Sequence, residues 1–181
     1  MSSHSESLQL IESFRDTIRD LIDPIEKIQL RIHDAESGYV PNGLELIAGE
    51  LTMVVLVFTN ADLNIAEKET DLLNNFRYAI CGDDGFALSS HDYLDLCRKF
   101  LTIHPDSRFS IDHKPYSLQF LETYDAEHAT DYAKRAKTMF FQIAKAVVEA
   151  DEREQSEEMM TLMNFSEILC SDNQQTSNRD S

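Results

Sequence analysis

Four carboxylates stand out by their spacing. Asp62 follows Ala61 and precedes Glu69 by seven residues; Asp151 follows Ala150 and precedes Glu158 by seven. Carboxylates brought close together repel. The repulsion is relieved by a divalent cation between them, by a basic partner, or by one of them taking up a proton. Asp62, Glu69, Asp151 and Glu158 are therefore candidate metal ligands, with calcium, manganese or zinc as the expected cofactor, or else a docking patch for a basic protein surface. The same residues have plainer uses. Asp151 can cap the helix that follows it, acidic residues in a first turn suit the positive end of a helix dipole, and Glu69 and Glu158 can simply face water.

The two pairs belong to a longer repeat. A shift of 89 positions lays Ala61 on Ala150, Asp62 on Asp151, Glu69 on Glu158, Leu73 on Leu162, Asn75 on Asn164 and Phe76 on Phe165. Upstream, Val54, Val55 and Phe58 fall on Ile143, Ala144 and Val147; downstream, Ile80 falls on Leu169 and Cys81 on Cys170. The apolar phase agrees on both sides of the Ala-Asp step. This predicts two related helical hairpins, each with Ala-Asp at its turn and a Glu in its second helix. Two hairpins that bury their stripes against each other form a bundle, and a pseudo-twofold axis would bring the two turns together.

The elements that must position these residues are helices. Apolar residues recur at helical spacing from Leu8 to Ile32, with Pro24 inside the run, so a kink or two helices are expected there. The segment 37–43 is a loop, and a helix follows from about Leu44 to Asn60. Another is expected from Ile65 to Ile80, opened by Asn64 and Glu67 as a capping box. Ser89 or Ser90 caps a further helix carrying Tyr93 and Leu94. Residues 104–115 read as irregular and 117–123 as a short helix. One long helix is expected from Ala126 through Val147, and a last one from Ser156 to Leu169. Met159, Met160 and Met163 recur at helical spacing and read as core. The organisation that results is an amphipathic helical segment over 1–36, a helical domain over 37–170, and a tail over 171–181 with no apolar side chain to bury, expected to be disordered.

Composition narrows the function. In 181 residues there are 42% hydrophobic residues but five glycines, four prolines and no Trp, which suits helices joined by short turns. The formal charge of −17 argues against direct binding of nucleic acid, whose phosphates require a basic surface. Cys81, Cys97 and Cys170 lack metal-ligand spacing and suit buried thiols in a reducing cytoplasm. The polar start of the chain and the short apolar run Met53–Phe58 lead to the expectation of a cytoplasmic protein.

At the Ala-Asp segments the sequence resembles the TerB-like family, the helical domain of tellurite-resistance and related stress operons. The family phrase is Ala-Asp-Gly, a spacer, an aliphatic residue and a Glu, occurring twice. Ala61, Asp62, Ile65 and Glu69 match in the first copy, with Leu63 in place of the glycine. Ala150, Asp151 and Glu158 match in the second, with Glu152 and Glu154 replacing the glycine and the aliphatic residue. The resemblance spans about Leu44 to Leu169. It implies an all-α bundle of two pseudosymmetric helical hairpins and a metal-binding acidic cluster. It also implies an accessory, non-enzymatic role in stress-response, defence or membrane-associated assemblies, with a protein partner or a second copy of the chain.

Two other arrangements of chemistry-bearing residues occur in the sequence. His33-Asp34 and His91-Asp92, with His104, His113 and His128, contain the ligand types of an HD-type metal-dependent phosphohydrolase. Gly82-Asp83-Asp84-Gly85 has the acids of a calcium loop but not the EF-hand spacing, and reads as an acidic turn. A third function class is a structural adaptor whose Leu8–Ile32 stripe pairs with another chain.

Overall fold

The computed structural model describes residues 3–32, 42–59, 70–71, 73–75, 78, 89–95, 113–150 and 156–171. Among these, all regular structure is helical. Five helices have defined bounds: α1 (Ser3–Ile32), α2 (Gly43–Thr59), α3 (Tyr116–His128), α4 (Tyr132–Ala150) and α5 (Ser156–Cys170). They pack as a bundle. α4 touches the other four, α1 lies against α2, α3 and α4, and α2 also meets α3.

α1 is a single helix through Pro24, so of the expected kink or pair of helices the pair is corrected. Proline withdraws one backbone donor and crowds the preceding turn. Here its ring is buried in line with Leu21, Ile25 and Ile28, which are themselves buried, and that packing offsets the loss. Salt bridges tie the rim of α1 to its neighbours: Arg31 to Glu127 on α3 at 2.9 Å, and Asp20 to Arg135 on α4 at 2.6 Å.

α2 begins with a reciprocal cap. The Asn42 side chain accepts the Glu45 N–H at 2.9 Å, and Glu45 accepts the Asn42 N–H at 3.0 Å. The N–H of Gly43 donates to Glu26 of α1 at 3.1 Å. A Cβ at Gly43 would lie 2.9 Å from the Ile22 carbonyl oxygen, so the start of α2 reaches α1 this closely only because the residue is glycine. Beyond the cap, Ile47, Leu51, Val54, Val55, Val57 and Phe58 are buried, and α2 is the most apolar strut of the core.

The helix expected to run on from Ala126 is two elements. α3 extends to His128, Ala129 takes a left-handed conformation (φ 53°), and its N–H closes on the Asp125 carbonyl at 2.8 Å. The Asp125 carboxylate then accepts the Thr130 hydroxyl at 2.5 Å and the N–H groups of Tyr132 and Ala133 at 3.0 and 2.8 Å. One side chain thus spans the joint and satisfies the open start of α4.

α5 buries Leu162, Phe165 and Leu169, and Phe165 meets Phe58 of α2 with ring centroids 5.8 Å apart. The expectation that its methionines are core is corrected: Met159, Met160 and Met163 are 50%, 64% and 62% exposed. At about 100° per residue Met160 lies nearly opposite Leu162, while Met163 and Met159 lie on the flank about 100° and about 60° round from it. Cys170 is exposed as well, against the expectation of buried thiols, because it follows Leu169 past the inner face. Cys81 and Cys97 lie outside the described residues.

Candidate functional site

Asp62, Glu69 and Asp151 lie outside the described residues. Glu158 sits in the first turn of α5, and its side chain is not among those described. What is described is the scaffold around them. α2 ends at Thr59, three residues before Asp62, and α4 ends at Ala150, next to Asp151. Val54, Val55 and Phe58 are buried, and so are their repeat counterparts Ile143, Ala144 and Val147. Leu73 and its counterpart Leu162 are buried too, 3% and 5% exposed. Among the described residues, no group of three or more His, Cys, Asp or Glu side chains is arranged to hold a metal.

The histidine–aspartate pair at 91–92 is engaged in helix capping. Asp92 accepts the Ser89 hydroxyl at 2.6 Å and the Ser89 N–H at 2.8 Å, while the Asp92 N–H reaches back to the Ser89 hydroxyl at 3.3 Å. Those bonds from Ser89 hold the Asp92 carboxyl below its ordinary range. His91 is exposed and lies 3.6 Å from Asp95, one turn on. His113 rests against Tyr116 and His128 stacks on Tyr124, so each of these described histidines has a local partner apart from Asp92. His33, Asp34, His104 and the Gly82–Gly85 turn lie outside the described residues.

Two charged centres are built from residues far apart in the sequence. Glu50 of α2 reaches the start of α3. It accepts the Tyr116 N–H at 2.6 Å, the Ser117 N–H at 3.2–3.3 Å and, in a short bond, the Ser117 hydroxyl. Pro115 precedes the helix and supplies no side-chain cap, so Glu50 performs that service from another helix. Burial raises the Glu50 carboxyl above its ordinary value, against the opposing effects of the Ser117 and Tyr116 bonds and of His113.

The second centre is Lys114, only 6% exposed. Its ammonium donates to both oxygens of Glu122 at 2.9 Å and to the Ser171 carbonyl, and Lys137 approaches the same Glu122 at 2.8 Å. A groove of about 350 Å³ beside it is lined by His113, Lys114, Asn164, Glu167, Ile168 and Ser171. An ammonium has three donors, and each here has an acceptor. The centre therefore fastens the end of α5 to the start of α3 and leaves Lys114 no donor for an incoming anion. Sequence could not reveal it: Glu122 stands eight residues away and Ser171 fifty-seven.

No model of a protein family, no curated protein and no solved structure matches the chain. No described helix is long and apolar enough to cross a membrane.

Proposed function

We propose that the protein is a TerB-like, non-enzymatic binding module of a stress-response or defence system, docking a protein partner through an acidic site that takes a divalent cation. Asp62, Glu69, Asp151 and Glu158 are its proposed ligands. The observation that carries the reading is the matched burial of the repeat: Val54, Val55, Phe58 and Leu73 enter one core together with Ile143, Ala144, Val147 and Leu162. Equivalent positions on equivalent helices are what two hairpins around a shared axis require.

A second feature supports it. Glu158 stands four residues before buried Leu162, and Glu69 four before buried Leu73. Residues four apart on a helix share a side, and a carboxylate on a buried side needs a counter-charge. The Phe58–Phe165 contact brings the first hairpin against the second at a point four residues from Asp62 and seven from Glu158. The charge of −17 adds to the attraction for a cation or a basic surface.

Thermal melts of the full chain with calcium, manganese or zinc test the reading. Metal at about a hundredfold over its Kd should raise Tm by roughly 5–10 °C. The double variant Asp62→Ala/Asp151→Ala should lose that rise. A rise that persists in the double variant, or no rise with any of the three metals, would sink the metal site.

A further inference from the structure

Of the six methionines in the chain, three stand close together on α5, at 159, 160 and 163. Each of these side chains is half exposed or more, whereas Met139 of α4 is fully buried and Met53 of α2 partly so. The inward contacts of α5 are made by Leu162, Phe165 and Leu169, and none of the three thioethers belongs to the core.

A thioether reacts with a hydroperoxide without losing a proton and without an activating base. The sulfur lone pair takes the outer peroxide oxygen, the O–O bond breaks, and the proton passes to the departing oxygen. Sulfur gives up two electrons and becomes a sulfoxide; the hydroperoxide accepts them and leaves as an alcohol, or as water when it is hydrogen peroxide. Access to the sulfur therefore decides where the reaction occurs, and access separates the α5 methionines from Met139. Cys170, exposed at the end of the same helix, is oxidisable too, but the methionine step uses no thiol.

Position also sets the consequence. A sulfoxide at Met139 would put a strong dipole inside the core, where water cannot hydrate it. On α5 the new oxygen stands in water, and Leu162, Phe165 and Leu169 keep their packing. Three oxidations then make the solvent side of α5 polar and leave the fold in place. Methionine sulfoxide is also reversible, because reductases return it to methionine.

We propose that Met159, Met160 and Met163 form a reversible oxidation site for hydroperoxides, which turns the solvent side of α5 from apolar to polar without unfolding the chain. The site is independent of the proposed metal ligands.

The test treats the full chain with tert-butyl hydroperoxide, too bulky to enter the core, with a chelator present to suppress metal-generated radicals. Dithiothreitol afterwards returns any disulfide at Cys170 to thiol and leaves sulfoxides in place. Peptide mass spectrometry should show one added oxygen at each of Met159, Met160 and Met163. Their rates should lie within about tenfold of N-acetylmethionine amide and more than about tenfold above that of Met139. Circular dichroism should be unchanged and Tm should fall by under about 2 °C. A pair of methionine sulfoxide reductases, one for each epimer, should remove the added oxygens from the folded protein. The variant Met159→Leu/Met160→Leu/Met163→Leu keeps the apolar volume, and under the same treatment should gain no oxygen at these three positions. Met139 reacting within tenfold of the α5 methionines, α5 rates more than tenfold below the free amide, or sulfoxides that the reductases cannot remove would each overturn the proposal. So would unfolding of oxidised wild type under conditions in which the treated triple variant stays folded.

Discussion

At the scale of single residues, the described chain shows charges placed where burial has to be compensated. Glu50 gains three donors at the start of α3. Even so, desolvation prevails and its carboxyl is raised above 4.5. A carboxyl raised in the folded state holds its proton more tightly there than in the unfolded chain. Its contribution to stability is therefore fully present below about pH 4.5 and falls as pH rises through the folded value. Replacing Glu50 with Gln keeps one acceptor for the α3 N–H groups and removes the titration. Urea midpoints measured from pH 4 to 8 should show wild type losing stability relative to Glu50→Gln as pH rises through that window. Parallel profiles would show that Glu50 does not titrate differently on folding. Lys114 illustrates the companion case, a buried ammonium whose hydrogen bonds all end on acceptors of its own chain.

At the scale of elements, the joint between α3 and α4 is the most informative. The sequence reads as a short helix over 117–123 and a long one from Ala126, whereas the joint lies later, between His128 and Tyr132. The break is made by polar chemistry: Ala129 turns left-handed and Asp125 collects the hydroxyl and N–H groups that follow. Two substitutions should act in opposite directions. Ala129→Gly relieves a conformation that an L-residue adopts at a cost and should stabilise by about 0.5–1 kcal/mol. Asp125→Ala leaves the first turn of α4 without its acceptor and should destabilise by about 1–2 kcal/mol. Chemical denaturation reads both, and a destabilising Ala129→Gly would contradict the account of the turn. The start of α2 follows a similar logic, with the cap supplied locally by Asn42 and the close approach to α1 permitted by Gly43.

At the scale of the whole molecule, α1 is built into the core it shares with α2, α3 and α4. Phe14, Ile18, Leu21 and Ile25 pack into that core, so this part of the stripe is used within the chain. Its last turns differ, with Leu30 and Ile32 exposed. The contrast can be measured with one residue type on one helix. Leu21→Ala should cost about 2–5 kcal/mol, the usual range for a buried leucine, whereas Leu30→Ala should cost under about 0.5 kcal/mol. Equal losses at the two positions would mean that Leu30 is covered in solution.

The sequence by itself determined the helical character of the chain, because apolar residues at three- and four-residue spacing can be buried together only on a helix. It also marked a helix start where the cap is local, at Ser89–Asp92. The alignment of Val54, Val55, Phe58 and Leu73 with Ile143, Ala144, Val147 and Leu162 was legible as well, since burial follows the same periodicity in both copies. Of the candidate acids, the sequence supplied identity and spacing. Only the tertiary structure decided that Pro24 sits inside one helix, that Glu50 caps α3, that Lys114 binds Glu122 and the end of α5, and that the α5 methionines face outward. Periodicity along a helix states which residues share a side. Which side meets a neighbour, and which distant group satisfies a buried charge, depends on where the other helices lie.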